Sequence, residues 1–337
     1  MSRKEVFFMK NRKYNSIYGL NIEQFIDMKL KLGYVYRTFS TILFQLDRFA
    51  EQTKETSSGI TKEFAEKWSE RLPNEGEFYR YRRVRLLAQF SSYLCDFGVQ
   101  SYIPKLLPHP KSTFIPYIYS PQEIDTIFRA CDELRLKVAN MNSCLFCFPV
   151  LIRLLYSTGV RISEALALGK DDINLIENYL LVKDSKNRKQ RIIPISTSLA
   201  SVCKEYVCYR DQIPLNQTKI KNFFVNTNGN SPSSGAILAR FKECLAKAGI
   251  PYIGGGQGPR IHDMRHTFAV TSLANMAEAG IDLYASMPIL SNYLGHQSFD
   301  STNQYVRLTS SMYPSLLKDI DKVCFDMFPK FNNYETD

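Results

Sequence analysis

The sequence predicts a mainly α-helical protein with one small β-sheet, laid out as two domains. Three observations carry this. Apolar residues recur at helical spacing along most of the 337 residues. One stretch, near 178–196, places apolar β-formers on both sides of a polar, basic turn, the pattern of a hairpin. Four prolines (Pro104, Pro108, Pro110 and Pro116) fall together between helical stretches, and proline and the residue before it resist helix.

Taken in order, residues 1–18 are basic and aromatic without clear periodicity and read as a tail. Over 20–51, Phe25, Met28, Leu32, Phe39, Ile42, Leu43, Leu46 and Phe49 mark two helices broken at Gly33-Tyr34. A polar loop leads to Thr61, which opens a helix bearing Phe64, Ala65 and Trp68. Over 77–97 a long helix carries Val84, Leu87, Phe90 and Leu94 on one face, with Arg80, Arg82, Arg83 and Arg85 assigned to the other. These elements make a helical domain over 19–103, followed by an extended linker over 104–118. Ser120-Pro121-Gln122-Glu123 is then a helix start, with serine as cap, proline at the first position and glutamate three after the cap. It opens a second domain over 119–315, helical around the one sheet. Within it, Pro288 is expected to begin a fresh helix. Residues 316–337 read as a C-terminal helix or tail with one apolar face.

Charge narrows the partner. The chain carries 43 Lys and Arg against 33 Asp and Glu, a formal +10, which favours a polyanion. No apolar run approaches the roughly 18–20 residues that span a bilayer, and the first residues lack the apolar core of a leader, so a cytoplasmic protein is expected. Cys144 and Cys147 lie in an apolar stretch with no second pair at metal-ligand spacing; they read as buried core, and no metal site is expected.

The chemistry lies in scattered basic residues that end in a tyrosine. Arg161 lies in Thr158-Gly159-Val160-Arg161-Ile162-Ser163-Glu164, His262 and Arg265 in His262-Asp263-Met264-Arg265-His266, His296 in Leu294-Gly295-His296, and Tyr305 follows. Three of the four histidines fall in the last segments. A tyrosine hydroxyl, with a pKa near 10, is a weak nucleophile that needs activation. Attack on a phosphodiester builds charge on the non-bridging oxygens, which two arginines can hold while staying charged. Histidine can accept the tyrosine proton or hydrogen-bond the phosphate. A leaving 5′-oxygen needs a proton, and Lys186, at the hairpin tip, is placed to supply it; Lys183 and Lys189 compete for that role.

This ordered set resembles the tyrosine recombinases of the phage integrase family, over roughly residues 20–320. In that pattern Arg161 matches the first arginine and Glu164 the acidic residue three later. Lys186 matches the hairpin lysine, His262 and Arg265 the His-x-x-Arg box, His296 the second histidine position, and Tyr305 the nucleophile. The two-domain layout is similar to that of the Xer-type members.

The resemblance implies a core-type DNA-binding domain and a catalytic domain closing as a clamp on double-stranded DNA. Tyr305 would form a 3′-phosphotyrosyl bond, with Arg161 and Arg265 clamping the phosphate, His262 taking the tyrosine proton, His296 bonding the phosphate, and Lys186 protonating the 5′-oxygen. His266 reads as structural. The covalent link conserves the bond energy, so no cofactor is expected. Also implied are a homotetramer on recombination sites of a mobile element, with the C-terminal helix exchanged between subunits; sister recombinases or accessory DNA-bending proteins stay open. Arg80, Arg82, Arg83 and Arg85 are candidate phosphate contacts. Two alternatives remain: relaxation of supercoils in the manner of a type IB topoisomerase, and a catalytically idle DNA-binding member of a multi-recombinase system.

Overall fold

The computed structural model describes residues 12–34, 39–110, 115–135, 143–183, 190–214, 220–254, 258–296, 302–303, 305 and 308–309. The chain divides into two compact units, Met1–Thr113 and Phe114–Asp337.

The first unit is helical: α1 (Gly19–Lys31), α2 (Ser40–Gln52), α3 (Lys62–Ser69) and α4 (Glu77–Asp96). Thr61 caps α3 by accepting the Phe64 N–H. Aromatic side chains dominate the core. Tyr18 meets Phe64 edge to face at 5.7 Å, Phe25 meets Phe90 at 5.5 Å, and Phe49 tilts on Trp68 at 5.4 Å. The buried Asp47 carboxylate on α2 accepts the Asn15 and Ser16 N–H groups, each at 3.0 Å, and so anchors the segment entering α1.

The arginine run on α4 does not share one face. Arg82 and Arg85 are exposed, and Arg80 is half-buried with its Nε donating to the Ser69 carbonyl at 3.0 Å. Arg83 is only 1% exposed, which corrects the expectation of a DNA-facing side chain. Its Nε and Nη2 reach the two Glu75 carboxylate oxygens at 2.8 and 3.0 Å, Nη2 also donates to the Glu70 carbonyl at 2.7 Å, and Nη1 donates to the Trp68 carbonyl. The physical reason is helical phase. Arg83 precedes Leu87, Phe90 and Leu94 by four, seven and eleven residues, so it lies on the core face. It ties the end of α3 to α4.

The second unit opens with α5 (Pro121–Asp132), whose capping box is complete: Ser120 Oγ accepts the Glu123 N–H and the Glu123 carboxylate accepts the Ser120 N–H. Helices α6 (Phe148–Thr158) and α7 (Ile162–Ala167) follow, then strands β1 (Ile173–Asn174), β2 (Tyr179–Val182) and β3 (Arg191–Pro194). The sheet is antiparallel in the order β1-β2-β3, with Leu180 opposite Ile193 and Val182 opposite Arg191. Helices α8 (Thr197–Asp211), α9 (Ser234–Lys247), α10 (Asp263–Glu278) and α11 (Leu283–Leu294) complete the described elements. Cys144 and Cys147 pack in the main core beside Phe148 and Leu151.

Pro288 does not begin a helix, contrary to expectation. Asp282 caps α11 by accepting the Tyr284 and Ala285 N–H groups at 2.8 and 3.0 Å, and Pro288 lies inside the helix. A strong cap upstream starts the helix, and the proline then removes only one bond of the ladder. Among the described residues, no helix is long and apolar enough to cross a membrane.

Candidate active site

Local folding places each basic residue at an element's end. Gly159, left-handed at φ 60°, ends α6; Val160 is buried, and Arg161 then stands at the N-cap position of α7. A side chain at Gly159 would be strained by that φ and would set its Cβ 2.5 Å from Phe268, so glycine lets α6 stop against α10. His262 sits at the start of α10, with Arg265 and His266 in its first turn. Gly295, left-handed at φ 67°, ends α11 and turns the chain into His296.

Arg265 is 3% exposed and bridges two helix ends. Its Nη1 donates to the Gly159 carbonyl and its Nη2 to the Leu294 carbonyl, both at 2.7 Å. Burial, reinforced by the Arg161 charge, pushes its pKa down to about 10, so it remains cationic at neutral pH. Arg161 is held by Glu164, whose carboxylate meets Nη1 at 2.8 Å and accepts the Arg161 N–H at 3.0 Å. Arg191 on β3 grips the same carboxylate through both terminal nitrogens, at 3.2 and 2.7 Å, and donates from Nε to the Tyr293 carbonyl at 2.9 Å. Burial alone would raise the Glu164 pKa; the Arg191 and Arg161 hydrogen bonds outweigh it and hold the carboxyl below its usual range. Glu164 therefore orients two arginines.

Tyr305 is 2% exposed and belongs to a core of Ala269, Val270, Leu273, Leu290 and Leu294. Its hydroxyl lies 2.9 Å from His266 Nδ1. His296 lies nearly parallel to the Tyr305 ring at 5.9 Å, and its Nδ1 is 2.8 Å from Thr302 Oγ1. His262 meets His266 edge to face at 5.1 Å and keeps one side open to solvent. Asp263, fully buried, accepts three hydrogen bonds from Arg260 at 2.7–3.2 Å. Desolvation and the surrounding arginines lower the pKa of all three histidines, His266 to about 3 and His296 to about 4. At neutral pH these imidazoles are uncharged. Four arginines (161, 191, 260 and 265) face two carboxylates (Glu164 and Asp263), so the cluster is surplus in positive charge and suited to an anion.

The structure thus gathers Arg161, Glu164, His262, Arg265, His296 and Tyr305 into one cluster. Lys186 and Lys189 lie outside the described residues, between the ends of β2 and β3. Lys183 is engaged with Asp172 at 2.5 Å. Residues 316–337 also lie outside. Sequence reading gave no role to Arg191 and set His266 aside. The signal for His266 was present: His262 and His266 are four apart, one turn of helix. Arg191 has no comparable signal, because its partners come from two other elements.

Residues 119–312 match the profile of the phage integrase family. The chain is 29% identical to a putative integrase/recombinase, y4rB, of Sinorhizobium fredii, over 88% of this chain and 94% of that one. It is 32% identical to the tyrosine recombinase XerD of Staphylococcus saprophyticus over 48% of this chain and 50% of the other. Among solved structures, the XerH site-specific recombinase bound to difH substrate, a pre-cleavage complex, shares the fold with a TM-score of 0.60 at 19% identity, over 82% of this chain and 78% of that one.

Proposed function

This chain belongs to the phage integrase family, as a tyrosine-type site-specific recombinase, and from that premise we propose that it cuts and rejoins double-stranded DNA through a 3′-phosphotyrosyl bond on Tyr305. The observation that carries the reading is the Tyr305 hydroxyl held among imidazoles in a cluster with surplus arginine charge. Arg161 and Arg265 clamp the scissile phosphate, and Glu164 with Arg191 sets the angle of Arg161. His296 hydrogen-bonds a non-bridging oxygen. His262, with its open side, suits a phosphate contact too. Lys186 protonates the departing 5′-oxygen.

Arg82 and Arg85, exposed on α4, are the phosphate contacts of the first unit. The substrate is a pair of recombination sites joined by a homotetramer, and the biological outcome is integration, excision or resolution of a mobile element. The name of the rhizobial relative supports that direction.

The test is covalent trapping. Full-length protein and the variant Tyr305→Phe are incubated, without added metal, with nicked suicide duplexes tiled across the DNA flanking the gene. A denaturation-resistant adduct with the unaltered chain and none with the variant is expected. An adduct that persists in Tyr305→Phe removes the assignment. DNA binding without any adduct favours an idle DNA-binding protein, and relaxation of plasmids lacking the sites favours topoisomerase chemistry.

A further inference from the structure

We propose that His266, rather than His262, is the group that accepts the Tyr305 proton as the tyrosine attacks, which rests on the phosphotyrosyl reading above. The first reason is contact. Among the described residues His266 Nδ1 lies within hydrogen-bond reach of the Tyr305 hydroxyl, at 2.9 Å, while His262 meets the His266 ring. Helix phase produces this. His262 stands at the start of α10 with an open side; one turn on, His266 is 6% exposed and turned into the core that holds Tyr305.

The second reason is the tautomer. His266 Nε2 lies 4.0 Å from Asp263 Oδ1. That is too long for a hydrogen bond, but a carboxylate at this distance favours a proton on the nitrogen that faces it. With Nε2 protonated, Nδ1 presents its lone pair to the tyrosine, and the hydroxyl donates. When Nδ1 takes the proton, the imidazolium sits beside the same carboxylate.

The third reason is the balance of charge. Among the described residues, the groups around His266 include His262, Arg260, Arg265 and His296, with Asp263 at Nε2 and Tyr305 at Nδ1. Burial first, and then the neighbouring His262 and the arginines, keep the ring neutral in the absence of substrate. A phosphodiester held by Arg161 and Arg265 brings a negative charge that offsets them, so His266 becomes a stronger base when the reacting phosphate is in place. Burial of both His266 and Tyr305 keeps bulk water from serving as the acceptor. In the step itself the Tyr305 Oη–P bond forms, the P–O5′ bond breaks, the phenol proton passes to His266 Nδ1, and the 5′-oxygen takes a proton from Lys186. Rejoining reverses each transfer.

Two measurements test this. The chain has four histidines, so nitrogen NMR of the DNA-free, histidine-labelled full chain is tractable, and His266→Asn assigns the resonance. At pH 7, Nε2 protonated and Nδ1 bare is expected; a proton on Nδ1 overturns the proposal. Single-turnover cleavage of the trapping duplex follows. His266→Ala is expected to slow adduct formation about 10²–10³-fold at neutral pH and to recover with added imidazole or raised pH, with unchanged DNA affinity. His266→Asn, which can accept the tyrosine hydrogen bond but not its proton, is expected to be equally slow, which separates proton acceptance from positioning. Near-normal cleavage by His266→Asn, or loss and imidazole rescue in His262→Ala instead, overturns the proposal. Absence of an adduct from the unaltered chain overturns the phosphotyrosyl reading itself, and this proposal with it.

Discussion

Each unit of this chain buries an arginine, and the two are treated differently. Arg83 in the first unit meets both oxygens of Glu75 and two backbone carbonyls, so its charge is neutralised on the spot. Arg265 in the second is nearly as deeply buried but touches carbonyl oxygens, with no carboxylate in ion-pair range among the described residues. A saturated buried cation is a fastener. A buried cation given hydrogen bonds but no counter-charge keeps its field for something else. Burial alone does not separate structural from functional arginines; the formal charge of their partners does.

The sharpest way to break this comparison is to remove Arg83. Arg83→Ala strands Glu75 in the core and should destabilise the first unit by about 3–5 kcal/mol, measured by urea unfolding. Replacing both partners, as in Arg83→Met with Glu75→Gln, should restore much of that, because no unpaired charge is left buried. If Arg83→Ala instead weakens DNA binding at unchanged stability, Arg83 is a contact and the contrast fails.

Arg265→Gln should do the opposite. The loss expected is about 10²–10³-fold in single-turnover adduct formation, of the size seen when one donor to a developing oxyanion is removed, with a smaller change in stability. A large fall in stability at unchanged cleavage would make Arg265 a second fastener.

A smaller effect distinguishes the units by pH. A histidine whose folded pKa is depressed stabilises the fold above its unfolded value, near 6.5, and loses that contribution as pH falls toward the folded value. His266, lowered to about 3, should therefore cost the second unit about 1.4 kcal/mol for each pH unit below 6.5. Glu75, lowered from a carboxylate value, weakens the first unit only below about pH 4.5. Hydrogen exchange at pH 7 and 5.5 should show the second unit loosening first, and His266→Asn should lessen that response without abolishing it, because His262 and His296 contribute in the same direction.

Much of the fold is legible in the sequence because its signals are local. The Ser120-Glu123 cap, the hairpin strands and the helical apolar spacing each need only neighbours in the chain. The candidate site is legible as an ordered set of residue types, since Arg161, His262, Arg265, His296 and Tyr305 stand at motifs of their own. What escaped depends on partners distant in sequence or on phase. Arg83 reads as one of a run of surface arginines although Leu87 and Phe90 set its face, the cap at Asp282 outweighs Pro288 as the helix start, and Arg191 acts through Glu164 and Tyr293. His266 reads as structural because the resemblance gives roles to His262 and Arg265, whereas its contact with Tyr305 depends on the helical turn that joins it to His262.

The two carbonyls that hold Arg265 have a consequence of their own. Gly159 closes α6 and Leu294 is the last residue of α11, so the guanidinium sits where the negative poles of two helix macrodipoles meet. Each pole helps a cation tolerate burial, yet neither cancels its unit charge. The clamp therefore depends on two separate helices ending at the same point. A chain in which either helix is frayed or out of place gives Arg265 no shelter and presents no complete anion site. For a protein proposed to break DNA covalently this is a safeguard, because the capacity to cut is assembled only by a fully folded second unit.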